Sequence, residues 1–420
     1  MRILLMGGSL RSGNLGVNAL TRGTIELLMS NFSKLDISVL KISNMHSADI
    51  CVERGNKTIQ VQEETCNGKK LVLLMALMVL NKYILGSLFT RFFMHAKLVN
   101  LIGKVDYVLD LSEGDSFSDI YGIKRFIIHS VNKYLVLLIK TPLIFLPQTI
   151  GPFENRWTKI IASYILAKAR HIYVRDELSF NVCCKLLNIK QDKLSLMPDM
   201  AFFMKSSCKS KVKPMLPKIK LAHEMVVGFN ISGLLWNGGY TPNNMFALQV
   251  DYKDVVIEVA EMILNEWSKV RLLFVPHVFA ADTAIVEDDR VACRQVQQAL
   301  NKKYAGRVFC VETAYKENKM KAIIGQCDFF IGSRMHSCIG AIAMNVPTVP
   351  IAYSRKFLGV WKMFGIDMWV ADLRQQSIEE ILAMIFKAIN DRHILKQQLE
   401  IRLKRVSNER QPIITMLQNK

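Results

Sequence analysis

The sequence predicts an α/β chain of two doubly wound domains, and three observations carry that expectation. Short apolar runs that end at a glycine or a polar turn alternate with longer helical stretches in both halves, the pattern of parallel strands covered by helices. At 420 residues the chain is long for a single hydrophobic core. Between residues 205 and 220 it becomes a Lys/Ser/Pro segment without periodicity, which reads as a linker. The expected boundaries are a first domain over 1–204, the basic linker over 205–220, a second domain over 221–385 and a helical tail over 386–420.

The first domain opens on a buried strand, Ile3 to Met6, too short for the apolar region of a signal peptide. A glycine-rich loop, Gly7 to Gly16, then opens a helix through about Met29. Such a loop aims backbone N–H groups at an anionic or polyhydroxylated ligand, although its spacing is not that of a dinucleotide fingerprint. Asp36 to Leu40 is a second strand, and the polar stretch Asn44 to Lys70 reads as an exposed insertion. The apolar run from Leu71 to Leu80 continues to Phe93, in an inserted helix placed at about 71–97, with Lys69 and Lys70 before it and Asn81, Lys82 and Arg91 within. It falls short of the ~20 apolar residues a bilayer requires. A helix buried in protein is the first reading of this run, and a helix lying on an anionic membrane surface the second.

Val105 to Leu109 is a strand leading into the loop Asp110 to Gly122, rich in carboxylates. Its spacing does not fit a calcium loop, and its short acceptors suit sugar hydroxyls or, more plainly, a solvated turn. Leu143 to Leu146 ends in Pro147-Gln148-Thr149-Ile150-Gly151-Pro152, a rigid loop that holds Gln148 at small entropic cost. After a helix from Trp157 to Ala169 comes Ile172-Tyr173-Val174-Arg175-Asp176-Glu177. There the local reading is an ion pair at a helix start.

The second domain has strands at Val226 to Ile231, Arg271 to Val275, Val308 to Val311, Phe329 to Ile331 and Thr348 to Ala352, with helices near Tyr252 to Glu266, Lys319 to Gln326 and Ser337 to Met344. A helical tail runs from Ser377 to Leu403. The most informative corner is Gly332-Ser333-Arg334-Met335-His336. A strand breaks there and delivers a permanently charged guanidinium and a titratable imidazole to the start of a helix, where open α/β sheets bind ligands. Two such domains facing a cleft have the architecture called GT-B.

Composition bounds the function. Half the residues are apolar, with 21 Met and 21 Phe, which excludes a disordered chain. The net charge of +19 attracts an anion, whether nucleic acid, an anionic leaflet or a phosphorylated substrate. No nucleic-acid motif accompanies it, so nucleic acid is not an expected partner. The nine Cys are irregularly spaced without a C-x-x-C pair, which fits a reducing cytosol and implies neither a disulfide framework nor a zinc site.

Several of these motifs together resemble the polysaccharide pyruvyltransferase family: Gly13-Asn14-x-Gly16, the Gly-Asp-Ser-x-x-Asp-like loop ending at Asp119, Pro147-Gln148-Thr149-Ile150-Gly151-Pro152, Val174-Arg175-Asp176, Pro198-Asp199 and Gly332-Ser333-Arg334-Met335-His336. Val17 and Asn18 stand where many members carry an acidic residue. The resemblance implies transfer of the enolpyruvyl unit of phosphoenolpyruvate to a sugar as a ketal, with phosphate released and no metal or other cofactor. On this reading His336 is the general acid, and Arg334 and Arg175 bind the donor's phosphate and carboxylate from opposite domains. Gly332, Ser333, Asn230 and His277 neighbour the donor. Asn14, Gly16, Asp115, Asp119 and Gln148 face the acceptor sugar, free or lipid-linked. The expected location is the cytoplasm, with peripheral contact at the inner membrane face as the alternative role of the basic and apolar segments. Two other functions stay open: a nucleotide-sugar glycosyltransferase of the same fold, with Arg334 on the diphosphate, and a non-catalytic membrane-surface subunit of polysaccharide assembly.

Overall fold

The computed structural model describes residues 1–43, 45–84, 96–207, 224–240, 244–280, 285–406 and 408–419. Residues 208–220 of the expected linker and the apolar run from residue 85 to Phe93 lie outside them. The chain divides into two compact units, one made of Met1–Arg11, Leu20–Met204 and Arg410–Lys420, the other of Ser12–Ala19 and Lys205–Glu409.

The first unit is built on strands β1 (Arg2–Met6), β2 (Asp36–Ile42), β3 (Ala48–Arg54), β4 (Lys57–Cys66), β5 (Tyr107–Asp110), β6 (Leu143–Gln148), β7 (His171–Val174) and β8 (Leu194–Leu196). They lie in the order β3-β4-β2-β1-β5-β6-β7-β8, parallel except where β3 runs against β4. Helices α1 (Leu15–Asn31), α2 (Gly68–Tyr83), α3 (Ile123–Ile139) and α4 (Arg156–Lys168) belong to this half of the chain. Both faces of the sheet are buried, which is why its strands read as continuous apolar runs. Leu4, Met6, Val108 and Phe145 point to one core and Ile3, Leu5, Leu109 and Ile144 to the other.

The stretch expected as an exposed insertion forms the hairpin β3–β4 instead, turning at Gly55 with φ +59° and burying Val52 and Val61. Alternation of Ile50 with Val52 and of Ile59 with Val61 is the signal for this edge, masked by the charged residues on its other face.

The second unit carries β9 (Met225–Asn230), β10 (Val270–Phe274), β11 (Val308–Cys310), β12 (Phe329–Gly332), β13 (Thr348–Ala352) and β14 (Ala371–Asp372), all parallel, in the order β11-β10-β9-β12-β13-β14. Helices α5 (Tyr252–Glu266), α6 (Asp289–Asn301), α7 (Glu317–Ile324), α8 (Met335–Ala343), α9 (Lys356–Met363), α10 (Ile378–Asn390) and α11 (Arg392–Val406) follow in sequence. A last helix, α12 (Gln411–Gln418), belongs to the first unit, where Ile413, Ile414 and Leu417 join the core around Ile3 and Leu5.

In each sheet the strand order reverses at one place, between β1 and β5 and between β9 and β12. Such switch points leave a crevice at the carboxyl ends of the strands. Among the described residues no helix is long and apolar enough to cross a membrane.

Candidate functional site

In the second unit the switch point is organised by a carboxylate that sequence reasoning did not single out. Asp289, fully buried at the start of α6, accepts from the backbone N–H of Gly233, His277 and Val278 at 2.8, 3.0 and 3.0 Å. Its Oδ1 also accepts from Nε and Nη2 of Arg334 at 3.1 and 2.8 Å. Burial acts to lower the Arg334 pKa, but Asp289, together with Tyr353 and Glu287, outweighs it and raises the pKa, so the guanidinium stays charged. Its Nη2 also donates to the Glu287 carbonyl, and Nη1 takes no partner among the described residues.

Asn230, at the end of β9, is a brace. Its Oδ1 accepts from Arg334 N at 2.9 Å and its Nδ2 donates to the Val275 carbonyl at 2.9 Å. Ser333 is buried and accepts from the Tyr252 hydroxyl at 2.7 Å. Gly332 has no room for a side chain, since a Cβ there would meet Cys338 Sγ at 2.7 Å.

The glycine loop after β1 is part of this corner. Leu15 N donates to the His277 carbonyl at 3.1 Å, Asn14 bridges to Val278, and Phe279 N donates to the Gly13 carbonyl at 2.8 Å. A Cβ at Gly16 would lie 2.5 Å from His336 Nδ1, so the imidazole rests on this glycine. Asn14 folds back on its own loop, its Oδ1 accepting from Gly16 N at 2.9 Å. His277 is buried, and neither of its ring nitrogens has a hydrogen-bond partner among the described residues. Burial, helped by His336 and Arg334, lowers its pKa to about 3, so the ring is neutral at physiological pH and offers one donor and one acceptor.

The first unit's switch point holds a cavity of about 430 Å³ lined by Gly7, Gly8, Lys41, Glu113, Tyr121, Lys124, Arg125 and His129 among others. Gly7 has φ +64°, and its missing Cβ admits Ser112 N, 2.5 Å from where that atom would sit. Arg125 forms an ion pair with Glu113, and the Tyr121 hydroxyl donates to Asp115 at 2.7 Å. Beneath the loop lies a buried pair, Lys133 Nζ to Asp110 at 3.0 Å, with the ammonium 4.9 Å from the Phe117 ring centroid. His129 is buried nearby, its pKa brought down to about 4 by burial and by Lys133.

Comparison with known proteins then decides the family. The family model described as polysaccharide pyruvyl transferase matches residues 14–355. The chain belongs to the polysaccharide pyruvyl transferase family. It is similar to the amylovoran biosynthesis protein AmsJ of Erwinia amylovora, 22% identical over 407 residues that cover 95% of this chain and 94% of AmsJ. Among solved structures it is similar in fold to Anabaena HepE in complex with UDP and glucose, with a TM-score of 0.58, 13% identity and full coverage of both chains. It is likewise similar to an α,α-trehalose-phosphate synthase from Burkholderia xenovorans, with a TM-score of 0.55, 10% identity and full coverage of both. The fold is therefore GT-B-like.

The structure distributes the family's motif residues unequally. His336, Arg334, Ser333, Gly332, His277, Asn230, Asn14 and Gly16 gather in the second unit. Asn14 and Gly16, expected on the acceptor side of the first domain, thus sit against His277 and His336. The segment Ser12–Ala19 packs there because Gly13 and Gly16 present bare backbone to Phe279 and to the imidazole.

Several residues expected at ligands are engaged by the fold itself. Arg175, expected to bind the donor, is buried, its Nη1 2.7 Å from Asp199 and its Nε 3.0 Å from Thr149 Oγ1, an internal ion pair. Asp176 caps the helix that follows, accepting from Ser179 N at 2.7 Å. Gln148 is fully buried, donating to the Asp110 carbonyl at 2.9 Å. Asp119 accepts from the backbone N–H of Glu154 and Asn155 and from Thr158 Oγ1, which ties the loop to the start of α4. Burial acts to raise its pKa, and the Asn155 and Glu154 N–H groups outweigh that and lower it. Asp115 stays beside the cavity through Tyr121.

Asp289, Arg125 and His129 were not legible as site residues, whereas Glu113 belongs to the carboxylate loop whose acceptors suit sugar hydroxyls. Asp289 shows only as one of two adjacent aspartates. Arg125 and His129 come to Glu113 only when the loop after β5 meets α3.

Proposed function

We propose that this protein transfers the enolpyruvyl group of phosphoenolpyruvate to two hydroxyls of a sugar in a polysaccharide or its lipid-linked precursor, giving a pyruvate ketal and phosphate. The observation that carries this reading is the second unit's switch point, where His336, neutral His277 and the guanidinium of Arg334, whose Nη1 has no partner among the described residues, gather around the family's glycine loop.

The chemistry asks for those groups. A proton goes to C3 of the donor as one sugar hydroxyl bonds to C2. Phosphate leaves with the electrons of the C2–O bond and the second hydroxyl closes the ketal; of the two hydroxyl protons one passes to phosphate and the other restores the acid that protonated C3. His336 supplies the proton to C3. Arg334, held charged by Asp289, binds the donor's anionic groups through Nη1. His277 donates to the same oxyanions without adding charge, and Asn230 and Ser333 hold the Arg334 turn. The acceptor sugar is assigned to the first unit's cavity, where Glu113, Tyr121 and Arg125 provide hydrogen-bonding groups for hydroxyls. AmsJ, named for amylovoran biosynthesis, supports a polysaccharide as the acceptor class.

The test is phosphate release from phosphoenolpyruvate across a panel of sugar acceptors, for the wild type and His336→Ala in parallel, with thermal unfolding as the control for folding. Acceptor-dependent release that is lost in a folded mutant is expected. Binding of UDP-glucose in preference to phosphoenolpyruvate would overturn the reading in favour of a nucleotide-sugar donor.

A further inference from the structure

We propose that the first unit docks on an anionic phospholipid bilayer through the joint surface of α2, α3 and α4. Helix α3 packs between the other two, and its outer side opens into an apolar groove of about 620 Å³ lined by Met75, Ile127, Val131, Tyr134, Ile160 and Tyr164 among others. Along the groove Ile160 is 63% exposed and Ile127, Ile161 and Tyr164 are also exposed, and on α2 Leu73 is 61% exposed and Leu77 is exposed as well. Isolated exposed apolar side chains are ordinary, but a contiguous patch marks an interaction surface.

Charge selects the occupant. None of the three helices contains an Asp or Glu, whereas Lys69, Lys70, Arg156 and Lys168 are exposed on them. Those four pair with no carboxylate among the described residues; the nearby Arg125 is engaged by Glu113. A second copy of this chain meeting the patch across a two-fold axis would bring one basic rim against another. An anionic leaflet instead neutralises the rim while its acyl boundary takes up Ile160, Leu73 and Tyr164, the arrangement of interfacial helices.

Helix α3 also connects this surface to the candidate acceptor cavity. Lys124, Arg125, His129 and Asn132 line that cavity, while Phe126, Ile127, Val131 and Tyr134 line the groove. The two concavities thus lie on opposite sides of one helix, about 10 Å across. The docking itself does not depend on the donor.

The experiment is flotation of the full chain with vesicles of phosphatidylcholine alone or with 30% phosphatidylglycerol, at low and high salt. It compares the wild type with Leu73→Glu/Ile160→Glu and with Arg156→Glu/Lys168→Glu. Wild-type flotation only with phosphatidylglycerol, reduced at high salt and at least 10-fold weaker in both variants, is expected. Phosphate release with a soluble acceptor should be unchanged. The charge variant keeps the apolar groove, so it decides the matter if the apolar variant does not fold. Absence of wild-type binding, or equal binding by the charge variant, overturns the proposal. So does light scattering that shows a wild-type dimer dissociated by Leu73→Glu/Ile160→Glu, because a second copy would then cover the patch.

Discussion

Gly16→Ala is the sharpest perturbation available at the donor corner, because it adds one methyl group and removes no functional group from the site. The new Cβ would lie 2.5 Å from His336 Nδ1, 2.8 Å from Cγ and 2.9 Å from Cβ, so the crowded neighbour is the imidazole with its root. Restoring an ordinary contact of about 3.4 Å at Nδ1 displaces the ring by about 0.9 Å. A misplacement of ~1 Å in a reacting group costs on the order of 100-fold in rate. The expected result is a fall of that size in kcat for acceptor-dependent phosphate release. The substitution also removes a helical glycine, which works in favour of the fold by up to ~1 kcal/mol, so thermal unfolding should change far less than the rate. Gly340→Ala is the matched control. Its Cβ would meet only Ile324 Cδ1 at 3.9 Å, and it should keep full activity with equal or higher stability. Wild-type kcat in a well-folded Gly16→Ala protein would refute the argument that the glycine loop seats His336.

Two further outcomes follow from groups the fold has consumed. Asp119→Ala strips the start of α4 of an acceptor for two backbone N–H groups and a hydroxyl, and should destabilise the protein by about 2–4 kcal/mol in urea unfolding while leaving KM for the acceptor nearly unchanged; a large rise in KM at unchanged stability would return Asp119 to the acceptor site. Stability should also fall as pH drops from about 6.5 toward 4, because His277 and His129 are neutral in the folded chain, with pKa values brought down to about 3 and about 4, and protonate first in the unfolded chain. Each contributes up to ~1.4 kcal/mol per pH unit in that window, so His129→Gln/His277→Gln should flatten the profile between pH 6.5 and 4.5, and an unchanged slope there would contradict both shifts.

The elements were largely legible because they are local. Continuous apolar runs mark β1, β6, β9, β10, β12 and β13, helical spacing marks α5, and the Gly332-Ser333 break marks the end of β12 whatever packs on it. The hairpin β3–β4 was hidden because an edge strand buries only one face, and its polar side dilutes the alternation. Helix α2 was legible as apolar and basic, but not as one wall of a groove, since α3 and α4 supply the rest.

Residue types and motif spacing by themselves determined the two-domain α/β class, the family likeness, and that His336 and Arg334 stand at the start of one helix. Tertiary structure alone decided which polar groups remain for a ligand. A buried charge must be paired wherever the chain brings a partner, so Asp199 takes Arg175, Glu154 and Asn155 take Asp119, and Asp289 holds Arg334 in place. It also brought the first glycine loop to His277 and His336 from the far end of the chain, a pairing written in no local pattern because it depends only on where bare backbone can meet an imidazole.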